Sequence, residues 1–206
     1  MSRIILVSGA GASGKSEYAE KLAVDMHKDR LIYVATMSAY DDESKKKINI
    51  HKKRRINTDF ETIEKPYDIE EIIHSIAPCD SNKRSTLLIE CISNLLANEM
   101  YGRAETDGMT DICGKTETGV KAGTCSNSKL KALPSQRIID GIKAVADTQL
   151  ADIVVVTNEV FADGIEYDAS TMEYIRQLGR INCELATMSD TVVEVACGRP
   201  VVWKGQ

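Results

Sequence analysis

The stretch 9-GAGASGKS-16, directly behind the apolar run Ile4-Ile5-Leu6-Val7, decides the fold of this chain. It fits the phosphate-binding loop pattern G-x-x-x-x-G-K-[ST] and lies where a strand hands over to a helix. Gly9, Gly11 and Gly14 let the backbone curl so that successive N–H groups point at phosphate oxygens. Ala10, Ala12 and Ser13 complete that cradle, and the following helix adds its positive end. Lys15 is placed to reach the β- and γ-phosphates, and the Ser16 hydroxyl to ligate Mg²⁺. A glycine-rich turn that matches by chance is the plain alternative, and the strand–loop–helix context argues against it. The implied ligand is a nucleoside triphosphate.

Outward from the loop, short β-rich runs alternate with helical patterns, the mark of an α/β chain. Strands are expected near Arg3–Ser8, Leu31–Thr36, Thr86–Cys91, Ile153–Thr157, Val192–Ala196 and Val201–Trp203. Several are near-continuous apolar runs, as parallel strands covered on both faces require. The first helix starts at the loop and runs to about His27, with Tyr18, Ala19, Leu22, Ala23 and Met26 at helical spacing. Further helices are expected over Asp68–Ser75, Ile92–Tyr101, Ser135–Leu150 and Thr171–Ser189. The expected architecture is a P-loop NTPase-type, RecA-like, mostly parallel sheet with helices on both faces, in a single domain. Residues from Gly102 to about Ala132 break the rhythm. They are rich in Gly, Thr, Ser and Lys without apolar period, and read as a mobile insertion.

Composition narrows the function. The chain has 206 residues, 43% hydrophobic and 28% charged, with a net charge of −5 that gives no general reason to bind nucleic acid or anionic lipid. No apolar run reaches the roughly eighteen residues of a membrane-crossing helix. No basic segment with a cleavable apolar core opens the chain, so no export signal is expected. Six cysteines without a C-x-x-C pair argue against a zinc site or a disulfide framework, and with the nucleotide loop they point to the cytoplasm.

Between the second and third expected strands, 41-DDESKKKINIHKKRR-55 puts seven Lys or Arg residues within eleven positions around His51. A solvated basic helix face or a nucleic-acid patch explains most such runs. The alternative starts from geometry, because segments leaving the carboxyl ends of parallel strands line the ligand crevice. There, flanking cations would neutralise triphosphate charge and keep the imidazole neutral, so that His51 could attack an α-phosphate and carry a nucleotidyl group. His27 and His74 lack such context and read as structural. Glu90 ends the run 86-TLLIECISN-94, where such folds place the acid that organises Mg²⁺, although it could instead cap the next helix. In 153-IVVVTNEV-160 the polar end Thr157-Asn158-Glu159 lacks the N-K-x-D of guanine-reading switches, and no D-x-x-G follows the third strand. Arg180 and Asn182 in 179-GRIN-182 read equally well as substrate contacts or as surface residues.

In order, G-x-x-x-S-G-K-S, Y-V-A-T, D-D-E, I-x-x-H-K, E-C-I, T-N-E-V, G-R-x-N and S-D-x-V resemble the bifunctional adenosylcobinamide kinase/adenosylcobinamide-phosphate guanylyltransferase family. The resemblance covers nearly the whole chain outside the expected insertion. It implies that Gly9–Ser16 hold nucleotide phosphates, with Lys15 catalytic. It implies further that Ala35, Thr36, Met37, Lys52, Lys53, Arg54, Arg55, Glu64 and Glu90 contact GTP, and that His51 becomes guanylylated. The implied reactions phosphorylate adenosylcobinamide and then pass GMP from GTP to the product, with Mg²⁺ serving both steps through Ser16 and Glu90. A homotrimer is implied as well. The chain departs from the family pattern at Ala10 and Ala12, in 161-FADGIEYD-168, and at Tyr174-Ile175-Arg176. A P-loop kinase without nucleotidyl transfer, or a nucleotide-gated regulatory module, are the other readings of the residues.

Overall fold

The structure, a computed structural model, describes residues 2–27, 29–38, 42–56, 58–76, 84–102, 132–161 and 164–205. Most of the expected insertion, with Cys113 and Cys125, lies outside them. Seven strands form one sheet: β1 (Ile4–Ser8), β2 (Arg30–Ala35), β3 (Phe60–Glu64), β4 (Ser85–Glu90), β5 (Ala151–Val156), β6 (Thr191–Ala196) and β7 (Arg199–Lys204). Their order is β3-β2-β4-β5-β1-β6-β7. Every neighbouring pair is parallel except β6 and β7. One strand, β5, therefore separates the strand that delivers the loop from the strand that ends in Glu90.

Alternation along the strands divides the core into two faces. Ile4, Leu6, Ile32, Val34, Leu87, Ile89, Ile153 and Val155 point to one side. There they meet α4 (Ile92–Ala97), α5 (Pro134–Asp147) and α6 (Ala169–Met188) through residues such as Leu95, Ile142 and Ile181. Ile5, Val7, Leu31, Tyr33, Leu88, Val154 and Val156 point the other way. On that side α1 (Lys15–Met26) packs through Ala19 and Ala23, whose small side chains let it lie close to the sheet. Residues of both sets are buried, which explains the continuous apolar runs in the sequence.

Four details depart from the expected strands and helices. The edge strand β3 was not expected, because its five residues FETIE are half-buried or exposed and show no apolar run. Its strand character comes from pairing with β2, Leu31 opposite Phe60 through Ala35 opposite Glu64. Residues Asp42–Arg55 form the helix α2, which carries the basic cluster. The expected helix from Asp68 is split into a 3₁₀ turn (Ile69–Ile72) and the short α3 (Ile73–Ile76). In addition, the helix expected to reach Tyr101 closes in a π turn over Asn98–Gly102.

Gly141 marks where α5 meets the 3₁₀ turn, since an added Cβ would fall 2.6 Å from Ile69 Cγ2 and 3.4 Å from the Glu70 amide. Ile69 is 1% exposed and has no room to retreat. Gly→Ala inside a helix is ordinarily worth about 1 kcal/mol in its favour. Overpacking a tight core contact costs about 1–3 kcal/mol, so the clash decides the sign. Gly141→Ala is expected to lower the urea midpoint of unfolding at unchanged slope.

Candidate active site

The loop is pinned from both sides of β1. From β5, the Thr157 amide donates to the Val7 carbonyl and the Glu159 amide to Gly9, each at 3.0 Å. From the β6–β7 turn, the Gly198 amide donates to the Ser13 carbonyl at 2.8 Å. Gly9 is required by close approach, because a Cβ there would meet Ser13 Oγ at 2.5 Å and the Val195 carbonyl at 2.6 Å. Gly14 carries the left-handed turn into α1 at φ 91°, which only glycine adopts freely. Ala12, rather than Gly11, takes the other positive φ in the loop.

Register brings the remaining acids to the same edge of the sheet. Ala35 lies opposite Glu64 on β3 and opposite Glu90 on β4, so three strand ends finish level. Beside them the loop, α1 and α2 enclose a cavity of about 880 Å³. Of the residues expected from the sequence, Ala12, Ser13, Gly14, Lys15, Ser16, Ala35, Met37, His51, Lys52, Arg55, Glu64 and Glu90 line it. Gly9, Ala10 and Gly11 shape the loop behind it. Thr36 is fully buried, where its hydroxyl donates to the Cys91 carbonyl at 2.8 Å and its own carbonyl accepts from Asn98 at 2.7 Å. It holds β2 and β4 together rather than facing the cavity. Lys53 is exposed outside the lining, and the Arg54 side chain lies outside the described part.

The charges around His51 differ from the sequence reading of an imidazole ringed by cations. Its Nδ1 faces two carboxylates, Glu90 Oε2 at 3.8 Å and Glu20 Oε1 at 4.0 Å. Two nearby cations of the cluster, Lys52 and Arg55, have other partners. Lys52 Nζ lies 3.7 Å from Glu64 in an exposed pair. Arg55 is buried with its guanidinium carbon 3.4 Å from the centre of the Tyr33 ring, and its Nη1 lies 3.8 Å from Glu20. A desolvated cation over an aromatic face contributes up to about 2 kcal/mol. Tyr33 in turn donates its hydroxyl proton to Glu90 Oε2 at 3.1 Å. Burial, reinforced by Glu90 and opposed by Arg55, pushes the Tyr33 phenol far above its ordinary range, so it stays a donor. The result is a closed ring of contacts, Glu20–Arg55–Tyr33–Glu90–His51, joining α1, α2, β2 and β4.

Lys15 is 8% exposed, and its amine donates to the Ala10 carbonyl at 3.1 Å. Burial lowers its pKa from the usual lysine value, while Cys91 and Glu90 act in the opposite direction. An anion in the cradle would restore the charge that this burial disfavours. Cys91 is a buried thiol raised by burial and hydrogen-bonded with Ser93 Oγ at 2.9 Å.

Both polar residues of 179-GRIN-182 have partners within the chain. Asn182 accepts from the Thr157 hydroxyl at 2.7 Å and donates to the Asn158 carbonyl at 3.2 Å, clamping the end of β5. Arg180 pairs with the Gln136 side chain at the surface. Asn158, singled out in the sequence at the end of the expected strand Ile153–Thr157, lines the cavity, whereas the sequence reading missed Tyr33 and Asn94 of the lining and Glu20 behind it. Glu20 follows Ser16 by four residues on α1, one turn on, but an acid on an amphipathic helix reads as solvated.

A family model described as cobinamide kinase / cobinamide phosphate guanyltransferase matches residues 5–203. The bifunctional adenosylcobalamin biosynthesis protein CobU of Escherichia coli K12 is 28% identical over 196 residues, covering 95% of this chain and 96% of that protein. The protein of the same name from Salmonella typhimurium LT2 is 28% identical over 201 residues, with the same coverage of each. CobP of Pseudomonas aeruginosa, also described as a bifunctional adenosylcobalamin biosynthesis protein, is 23% identical over 201 residues, covering 98% and 97%. Among solved structures, a prototypical ATPase from the type III secretion system of pathogenic bacteria superposes at TM-score 0.54 and 8% identity. That match spans 93% of this chain and half of the ATPase. A Pyrococcus horikoshii OT3 protein superposes at 0.52 with 7% identity, over 98% and 86% of the two chains. These likenesses concern the fold, a P-loop ATPase sheet. By the match over nearly its whole length, the chain belongs to the cobinamide kinase / cobinamide phosphate guanyltransferase family.

Proposed function

We propose that one cavity carries out both reactions named in the family description. In the first, a nucleoside triphosphate phosphorylates the side-chain hydroxyl of adenosylcobinamide. In the second, GMP passes from GTP to the phosphorylated product through a guanylyl group on His51. The observation that carries this reading is that His51 and the Lys15 loop line the same cavity. A nucleophile and a phosphate cradle sharing one enclosure is what in-line attack on a bound triphosphate needs.

In this reading the loop amides and Lys15 hold the β- and γ-phosphates and stabilise the charge that builds on them. Nδ1 of His51 is buried, which leaves Nε2 as the attacking atom. The Nε2 lone pair forms a bond to the α-phosphorus, the bond from that phosphorus to the β-bridging oxygen breaks, and pyrophosphate leaves with the electron pair. An oxygen of the cobinamide phosphate then attacks the same phosphorus, and the pair of the N–P bond returns to the imidazole. Ala35, Met37, Lys52 and Glu64 are the proposed GTP contacts from the cavity wall. The hydroxyl of Ser16 and the carboxylate of Glu90 are hard oxygen donors lining the same space, a set that fits Mg²⁺. Mg²⁺ held there would neutralise phosphate charge in both reactions. The reading extends to three copies of the chain assembled in the cytoplasm.

Incubation with GTP labelled at the α-phosphate tests the nucleotidyl step. Wild type is expected to acquire an acid-labile, base-stable label that His51→Ala lacks, while His51→Ala keeps its kinase turnover. A wild type that never takes the label leaves only a P-loop kinase. Lys15→Ala is expected to lower both turnovers by about 10²–10³-fold, as loss of one preorganised donor at a transferring phosphoryl group does. Chelation of divalent cations is expected to stop both reactions, with recovery on adding Mg²⁺.

A further inference from the structure

Glu20 stands behind His51, outside the cavity lining, and no step described so far uses it. Its Oε1 is buried and has no hydrogen-bond partner among the described residues. The same holds for the atom it faces, His51 Nδ1, 4.0 Å away. Two buried polar atoms of complementary kind, neither hydrogen-bonded among the described residues, thus lie within ion-pair distance of each other. Burying polar atoms without partners is costly, so the contact has a driving force. Glu90 Oε2 is slightly closer to Nδ1, at 3.8 Å, but it already has the Tyr33 hydroxyl at 3.1 Å, whereas Glu20 Oε1 has no hydrogen-bond partner among the described residues. Arg55 Nη1, also buried and without a hydrogen-bond partner among the described residues, ion-pairs with the same Glu20 oxygen at 3.8 Å, and a carboxylate oxygen can accept from both groups.

We propose that Glu20 is the positioning residue of His51. Its carboxylate accepts the Nδ1–H, fixing the imidazole in the tautomer whose lone pair is on Nε2 and turning that lone pair toward the cavity. When Nε2 bonds the α-phosphorus the ring becomes cationic, and the carboxylate balances that charge until the N–P bond breaks again. No atom of Glu20 reaches substrate. The donor atoms of Glu20, His51 and Glu90 also lie within 4.8 Å of one another, a spacing that a cation could span. The Arg55 guanidinium beside Glu20 already supplies a positive charge there and opposes a second one.

The inference rests on the guanylyl-histidine reading, and the test keeps the two apart. Wild type, Glu20→Gln and Glu20→Asp are compared in GTP binding at equilibrium, kinase turnover on adenosylcobinamide, and the rate of labelling from α-labelled GTP. Glu20→Gln is expected to slow labelling about 10- to 100-fold, the size of effect seen when a carboxylate orienting a metal-bound histidine is removed. GTP affinity and kinase turnover stay near wild type, which also shows that the variant folds. Glu20→Asp, which keeps the charge, recovers part of the rate. Labelling of Glu20→Gln at the wild-type rate overturns the proposal. A parallel fall in GTP affinity, kinase turnover and labelling overturns it too, since Glu20 would then be a structural support. A wild type that takes no label removes the guanylyl-histidine reading itself.

Discussion

Burial of the central strands on both faces is the constraint on which the site depends. Because β1, β2, β4 and β5 run parallel with apolar side chains above and below, their registers cannot slip by one residue without exposing a whole face. All their carboxyl ends therefore reach the same edge at fixed levels. The loop after β1 and the Glu90 carboxylate at the end of β4 are thus placed by packing far from either of them. The polar end of β5 serves the same purpose, with the Thr157 and Glu159 amides bonded to β1 and the loop, and Asn182 holding the end of β5.

The α2 helix is held in a different way. Its sequence has no apolar face to lay on the sheet, and its two isoleucines, Ile48 and Ile50, line the cavity instead. What fixes its C-terminal end is the stack of Arg55 on Tyr33, with Glu20 and Glu90 beside it. Such contacts are individually worth little at a surface and considerably more when desolvated. A histidine carried on this helix can therefore be held precisely at one end without being locked into the hydrophobic core. That arrangement suits the proposed role of His51, which would meet first a triphosphate and then an acceptor.

Electrostatically the cavity is mixed, with Lys15 and Arg55 buried among Glu90 and Glu20. A wholly positive pocket would hold pyrophosphate as firmly as the triphosphate. In the proposed mechanism, carboxylates beside His51 would favour the cationic ring of a nitrogen–phosphorus intermediate and resist accumulation of anionic product.

Much of this was legible in the sequence. The loop 9-GAGASGKS-16 behind an apolar run, the alternation of strand and helix, and the ordered motifs through 157-TNEV-160 state a P-loop α/β chain and its family. They do so because close backbone approach to phosphate tolerates few residue types and parallel strands need apolar runs. The edge strand β3 was invisible, since its strand character comes from hydrogen bonding to β2 and not from any pattern of its own. The surroundings of His51 were misread for a related reason: neighbours in sequence are cations, whereas neighbours in space are carboxylates from α1 and β4. Sequence by itself determined which chemical groups the protein carries and the fold that presents them. Tertiary structure alone decided which charges meet, because electrostatic interaction depends on distance through space and the elements that meet at His51 are far apart along the chain.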